Sequence, residues 1–368
     1  MEVLVTGSKG FIGKNLMERL GRLENLNIHS FDKDDSFEEL GKIINKIDFI
    51  FHLAGINRPE KVEEFYAGNR DTLGNLIKLI ERHKLKIPVL VTSSIQVERD
   101  NDYGKSKLEG EKLLQEYSLR NDAKIYIYRL PNVFGKWCKP NYNSVIATWC
   151  NNIAINKEIQ VNDRNAKLKL VYIDDVVNIF ASHLTGKIEE KEYYSIPIVY
   201  EKTLGEIEEL LYLFKNNRKN LTVPTVGTGF ERALYSTYLS YLDKNDFTYP
   251  LTEHTDNRGA FVEILRTTNS GQFSMSTSKP GITRGNHYHN TKNEKFLVIR
   301  GEAIIRFRHI YSDEVIEYKV SDKKLEVVDI PVGYTHNITN TGDSEMLLVI
   351  WANELFDNKN PDTYYLEV

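Results

Sequence analysis

The chain has 368 residues, with 48 Lys and Arg against 52 Asp and Glu, a formal net charge of −4. Hydrophobic residues make up 41% and charged residues 27%, enough apolar material for packed cores, which excludes disordered, collagen-like and fibrous classes. The near-neutral balance is not that of a nucleic-acid-binding protein, and at ~100–200 residues per domain the length predicts two domains, at most three. Cys138 and Cys150, the only cysteines, cannot make a disulfide framework and read as free thiols of a reducing compartment. No apolar run reaches the ~20 residues needed to span a bilayer. The first residues lack a charged n-region and a cleavage site, so the expectation is a cytoplasmic protein with no membrane partner.

From residue 1 to about 180, strand-like and helix-like stretches alternate. Residues 3–6, 27–31, 49–53, 89–92 and 125–129 are short apolar runs of β type. Between them, residues 11–20, 73–80 and 108–117 carry helical spacing. This alternation predicts an α/β, Rossmann-like, doubly wound parallel sheet. From about residue 247 onward the pattern is all β: strands are predicted over 261–266, 272–277, 295–299, 303–309, 315–320, 324–330 and 346–351, with Pro-Gly and Gly-Asp turns between several of them. The division predicted is residues 1–245 and 246–368, with 241–250 as connector.

The first chemical signal sits where strand 3–6 meets helix 11–20. Gly7, Gly10 and Gly13 have the spacing of a dinucleotide-binding turn. Gly7 permits the tight turn, Gly10 lets backbone N–H groups approach a pyrophosphate, and Gly13 allows the helix to pack closely. At the end of the second strand, Asp32 can accept from a ribose 2′-hydroxyl, favouring NAD, whereas Lys33 can meet a 2′-phosphate, favouring NADP.

Tyr103 and Lys107 form a Tyr-x-x-x-Lys pair, nine residues after Ser94 at a strand end. Tyr288 and Lys292 make a second such pair, so spacing alone decides nothing. Tyr103 opens a helix, and a step of four puts it on one face with Lys107. The cation should favour the phenolate, leaving Tyr103 to pass a proton to a carbonyl oxygen while Ser94 donates a hydrogen bond to it.

Residues 1 to about 240 resemble the extended short-chain dehydrogenase/reductases that act on nucleotide sugars. The resemblance is carried by residues 6–13, His52-Leu53-Ala54-Gly55, Asn69 with Gly74-Asn75-Leu76, Ser93-Ser94, Tyr103 with Lys107, Arg129 with Asn132-Val133-Phe134-Gly135, and Val171-Tyr172-Ile173-Asp174-Asp175. It implies a nicotinamide cofactor touched by Gly7, Gly10, Phe11, Ile12, Gly13, Asp32, Lys33, Leu53, Ala54, Tyr103 and Lys107. It implies a nucleoside-diphosphate sugar near Asn132. Dehydratases of this kind carry an Asp-Glu pair after the catalytic hydroxyl residue; here Ile95 and Gln96 stand there, which argues for simple ketone reduction. The diphosphate-binding Arg of the family is replaced by Leu168, leaving Arg164, Lys167 or Lys169 as the cation.

The second signal lies in the β-rich part. His287 and His289 stand two apart, so on a strand they share a face. Glu294 and His336 can join them from neighbouring strands, giving three imidazoles and a carboxylate suited to a borderline divalent metal. Zinc is expected, with iron, manganese and nickel as alternatives, acting as a Lewis acid or structurally. Candidate bases outside the ligand set are Tyr334, Lys295, His254 and His309, while Tyr288 alternates with the ligands and should face away. The segment resembles the cupins, with Leu325 where a glycine often opens the second motif.

A reductase fused to a cupin resembles a family of bifunctional enzymes of capsular polysaccharide synthesis. That resemblance implies C3 epimerisation of UDP-2-acetamido-2,6-dideoxy-L-arabino-hex-4-ulose by the cupin part. Reduction at C4 with NADPH then follows, giving UDP-N-acetyl-6-deoxy-L-talosamine on the route to UDP-N-acetyl-L-fucosamine in a homodimeric enzyme. The alternative from another class is an NADP(H)-sensing regulator with a cupin ligand-binding module, which has no need of Ser94, Tyr103 and Lys107 together.

Overall fold

The computed structural model describes residues 1–186, 188–359 and 361–368. The chain divides into two compact units, Met1–Leu211 with Ala233–Asp243, and Tyr212–Arg232 with Lys244–Val368. The sequence division at 245 therefore differs from this one over residues 212–232, which the structure groups with the second unit.

The first unit is built on β1 (Glu2–Thr6), β2 (Asn27–Phe31), β3 (Phe49–His52), β4 (Val89–Ser94) and β5 (Ile125–Leu130). All neighbours are parallel, in the order β2-β1-β3-β4-β5. Strands β3 and β4 are buried along their whole length, so they read as continuous apolar runs, as expected where helices cover both faces of a sheet. The helices are α1 (Phe11–Leu20), α2 (Phe37–Ile43), α3 (Glu63–Tyr66), α4 (Thr72–Arg82), α5 (Asp102–Asn121), α6 (Val145–Ala154) and α7 (Ile173–Thr185). On one face Leu4, Ile50 and Val89 pack with Leu73, Leu76 and Leu114 from α4 and α5. On the other, Phe51 stacks on Phe180 of α7. The strand order reverses between β1 and β3, and the crevice beyond their carboxyl ends is where open α/β sheets bind ligands. A small sheet of β6 (Asn132–Phe134), β7 (Lys167–Tyr172) and β8 (Tyr200–Thr203) follows.

After α8 (Leu204–Asn220), β9 (Thr222–Val223) and α9 (Gly229–Leu239), the rest is β. The strands are β10 (Glu253–Asp256), β11 (Gly259–Thr267), β12 (Gly271–Ser278), β13 (Thr283–Tyr288), β14 (Glu294–Arg300), β15 (Glu302–His309), β16 (Val315–Ser321), β17 (Val328–Ile330), β18 (Tyr334–Asn340), β19 (Met346–Ala352) and β20 (Tyr364–Tyr365). They form one sheet in the order β10-β11-β12-β19-β14-β17, which β9 joins beside β11, and another in the order β16-β15-β18-β13-β20. Both sheets feed one core, in which Phe296, Val298 and Leu348 meet Ile305, Phe307 and Ile338. Of the strand predicted over 324–330 only β17 forms: Leu325 and Val327 are more than half exposed, residues 322–323 turn, and Lys324 makes only an isolated bridge to Ser321.

Candidate functional site

The turn between β1 and α1 is shaped by its glycines. Gly7 takes φ +69°, and a Cβ there would lie 2.7 Å from the Ala54 amide nitrogen, so only glycine fits. A Cβ on Gly13 would run into the Gly7 carbonyl, which is why α1 can lie so close to the turn. Gly10 caps α1 with no side-chain bond, leaving the N–H groups at Phe11 and Ile12 directed outward for an anion. Leu53 donates its amide to Thr6 O at 3.1 Å, and Ala54 donates to Thr6 Oγ1 at 3.3 Å, so β3 exits directly beside the turn. Asp32 is nearly buried and accepts from Ser8 Oγ at 2.6 Å and from the Lys9 amide at 3.1 Å. Lys33 is exposed. A groove of about 700 Å³ beside the turn is lined by Ser8, Lys9, Lys14, Trp137, Lys139 and Tyr241.

Ser94 ends β4, and Asn101 caps α5 by accepting from the Gly104 amide at 2.8 Å. Gly104 is decisive: a Cβ there would collide with Gln96 O, so the first turn of α5 can press against residues 95–98 only as glycine. That contact brings Tyr103 to Ser94, whose hydrogen bond lowers the phenol's pKa, although burial is the larger effect and leaves it above its ordinary value. Lys107 donates to Thr92 O at 3.1 Å, and burial pulls its ammonium down to about 8 against the opposing pull of Glu111. In this structure Lys107 is engaged at the Thr92 carbonyl, and the tyrosine's balance is set by burial and Ser94.

Glu111, one further step of four along α5, was not singled out from the sequence. It is buried, accepts from Ser93 Oγ, and takes the Arg129 guanidinium in a two-pronged ion pair at 3.0 and 2.6 Å. Arg129 in turn lies 3.7 Å over the Tyr193 ring. The signal was present in the spacing Tyr103, Lys107, Glu111, all on one helix face. Next to Ser94 opens a cavity of about 370 Å³ lined by Ile95, Arg129, Pro131, Lys169, Ser195 and Glu201. Asn132 sits at its margin on β6, exposed, donating to Lys169 O at 3.2 Å. Of the three cations weighed for the diphosphate, Arg164 is tied to Glu208 and Glu209 on α8, and Lys167 to Glu201, whereas Lys169 lines the cavity.

The second unit brings His287, His289, Glu294 and His336 together, one donor atom from each within 4.8 Å of the others. Metal–ligand bonds of about 2 Å set donors about 3–4 Å apart, so the four fit one ion with small closure. His287 of β13 faces His336 of β18 across the ladder, with a bulge at Gly285 and Asn286 turning the strand. His289 lies just past the end of β13, and Glu294 opens β14, which belongs to the other sheet rather than to a neighbouring strand. His336 is buried, with Nδ1 lacking a hydrogen-bond partner and Nε2 at a long 3.5 Å from Glu294 Oε2, a state that a bound cation relieves. Burial, with His336 and His289 nearby, lowers His287 to about 4, so its lone pair is free at neutral pH. Burial raises the Glu294 carboxyl, but the imidazoles of His289 and His336 outweigh it and hold it below the usual carboxylate range. Tyr288 stacks on Tyr364 and Lys292 donates to Pro361 O, which accounts for the second Tyr-x-x-x-Lys pair structurally.

A Gly-rich turn on a parallel sheet, with Ser, Tyr and Lys at its carboxyl edge, defines an enzyme of the nicotinamide-dependent type. The chain belongs to the NAD dependent epimerase/dehydratase family, whose pattern matches residues 3–196, while residues 254–364 match the polysaccharide biosynthesis C-terminal domain. It is 48% identical over 368 residues to the UDP-2-acetamido-2,6-beta-L-arabino-hexul-4-ose reductase of Pseudomonas aeruginosa, covering 100% of this chain and 99% of that protein. The crystal structure of the capsular polysaccharide assembling protein CapF from Staphylococcus aureus is similar over 100% of both chains, at 52% identity and a TM-score of 0.93. UDP-glucuronic acid 4-epimerase from Bacillus cereus shares the fold over 66% of this chain and 98% of its own, at 18% identity and a TM-score of 0.56. Among the described residues no helix is long and apolar enough to cross a membrane.

Proposed function

We propose that the chain is a two-centre nucleotide-sugar enzyme. The second unit epimerises C3 of UDP-2-acetamido-2,6-dideoxy-L-arabino-hex-4-ulose, and the first unit then reduces its C4 ketone with NADPH to UDP-N-acetyl-6-deoxy-L-talosamine, for a capsular polysaccharide. The observation that carries the reading is Tyr103 hydrogen-bonded to Ser94 at the carboxyl end of β4. The full-length likeness to the arabino-hexulose reductase supports the substrate.

The nicotinamide supplies the hydride for C4. The chain does the rest: the N-terminus of α1 takes the pyrophosphate, Ser94 orients the ketone oxygen, and Tyr103 gives it a proton. Lys107 is the cation beside the ribose and the phenol, and Lys169 is the diphosphate's partner. Ile95 and Gln96 offer no carboxyl acid to expel water, so the ketone is reduced rather than dehydrated. The order of the two reactions follows from acidity, because the C4 ketone is what makes the C3 proton labile.

In the second unit His287, His289, Glu294 and His336 would hold zinc, which would supply a Lewis acid to the C4 oxygen. Epimerisation takes the C3 proton from one face and returns a proton to the other, and we assign one of these two transfers to Tyr334. It stands two residues before His336 on β18, so both side chains share a face. The other candidates are occupied elsewhere: Lys295 pairs with Asp329, His309 accepts from the Tyr311 amide, and His254 is exposed on β10. The working form is a homodimer. Proton NMR of the sugar formed in D₂O with NADPH tests the whole reading: deuterium at C3 and a reduced C4 are expected. A reduced product that retains its C3 proton and configuration would remove the epimerase half, and an unreduced ketone the reductase half.

A further inference from the structure

Residues 361–366 run alongside the His and Glu cluster. Asp362 has φ +37°, a left-handed backbone that Asp tolerates better than most residues. Its carboxylate accepts from three successive amides, Asn290 at 3.1 Å, Thr291 at 2.8 Å and Lys292 at 2.9 Å, and from Thr291 Oγ1 at 3.1 Å. These amides belong to the loop that joins His289 to Glu294. The main-chain carbonyl of the same residue lies 2.6 Å from His289 Nδ1. A carbonyl can only accept, so Nδ1 carries the proton and Nε2 keeps its lone pair. Nε2 is the atom that stands 3.3 Å from Glu294 Oε2, facing the cluster. The strap is held in turn by β20 pairing with β13, and by Thr335 donating to Leu366 O.

We propose that Asp362 is a positioning residue of the metal centre, its carbonyl setting the tautomer of His289 and its carboxylate the course of the loop between two ligands. The inference rests on the reading of the four side chains as a metal site. Each half has its own lever. Asp362→Asn keeps an acceptor, the carbonyl and a tolerance for positive φ. Asp362→Ala removes the amide clamp and disfavours the backbone that aims the carbonyl. Thr363→Ala removes the neighbouring hydroxyl, which accepts from Lys292 Nζ at 3.3 Å and donates to Pro361 O at 2.9 Å, and loosens the strap while leaving the carbonyl and carboxylate of Asp362 in place.

The full-length protein, stripped of metal, is titrated with zinc against a chromophoric chelator. Asp362→Ala should weaken zinc by about 10–100-fold, the usual scale for losing an outer partner of a histidine ligand, while Asp362→Asn and Thr363→Ala stay near wild type. Circular dichroism of the metal-free variants establishes that each is folded. Nitrogen NMR of the zinc-loaded wild type should find His289 protonated on Nδ1, with Nε2 turned to the cluster. An Asp362→Ala protein that binds zinc as tightly as wild type, a Thr363→Ala protein that loses it equally, or His289 protonated on Nε2 overturns the assignment. A wild-type chain that takes up no zinc instead overturns the metal reading itself, and the wild-type titration separates the two failures.

Discussion

Ser8 donates its hydroxyl to Asp32 at 2.6 Å, and the Lys9 amide donates to the other carboxylate oxygen at 3.1 Å. The residue that by position should read the ribose is therefore a brace for the Gly-rich turn. Asp32 is nearly buried, and beside it the exposed Lys9 and Lys33 are balanced by the exposed Asp34 and Asp35. Held in this way, Asp32 has a role independent of which cofactor binds. Asp32→Ala should weaken NADPH and NADH together, each by about tenfold or more, with little change in their ratio, because a buried hydroxyl loses its acceptor and the turn loosens. Fluorescence titration of both cofactors reads this directly. A variant that gains NADPH affinity relative to NADH by tenfold would instead restore Asp32 as the selectivity residue.

Tyr103→Phe removes one oxygen and nothing else. If this phenol donates the proton at C4, reduction should fall by about 10²–10⁴-fold, the range for a lost general acid. Deuterium exchange at C3 should continue at the wild-type rate, since that chemistry uses side chains of the second unit. Stopped-flow loss of NADPH absorbance and NMR exchange, run on the same preparation, give both numbers. Loss of exchange together with reduction would place one catalytic group in both reactions.

The parts of this architecture legible in the sequence are those written in short-range patterns. The turn at residues 7–13 and the helix of Tyr103 depend on neighbours within one strand or one turn, and their positions follow from spacing. What escaped depends on contacts between distant segments. Gly104 matters only because α5 lies against residues 95–98, and Glu111 only because β5 delivers Arg129 to it. Strands β13 and β18, which carry His287 and His336, have polar residues pointing inward, so the alternation that marks an ordinary half-buried strand is missing. Arg164 looked like a free cation because nothing local to residue 164 announces Glu208 and Glu209.

Lys107 is enclosed at a cost, which makes it testable by stability. Its ammonium is lowered from 10.5 to about 8 by burial, which corresponds to roughly 3 kcal/mol against the charged form. Below pH 8 the lysine is charged in both folded and unfolded chains and the full penalty is present. Between pH 8 and 10.5 the unfolded chain binds more protons than the folded one, so stability from this group rises with pH. Lys107→Met should therefore be more stable than wild type at pH 7, by up to about that amount, and the gain should shrink as pH approaches 10.5. Denaturant melts of the cofactor-free protein at pH 7 and pH 10 measure it. A variant less stable than wild type at pH 7 would mean that the bond to Thr92 O outweighs the burial of charge. In either case reduction should be lost, because the cation beside the phenol is gone.

If the four side chains of the second unit hold zinc, removing it separates what the two centres do. His287, His289, Glu294 and His336 all belong to the second unit, and Ser94, Tyr103 and Lys107 all to the first. Stripping zinc with a chelator should suppress C3 exchange by several kcal/mol of barrier, the scale of a lost Lewis acid, and return of zinc should restore it. The same stripped protein should still oxidise NADPH when offered a ketone already epimerised at C3. Tyr334→Phe makes the complementary case: zinc uptake should match wild type, because the phenol is not a ligand, while exchange falls by about 10²-fold or more for want of the proton carrier. If stripping zinc leaves exchange untouched but lowers the melting temperature of the second unit, the ion braces the β structure and takes no part in chemistry. If Tyr334→Phe exchanges normally with zinc bound, the proton at C3 is carried by another group within reach of the cluster.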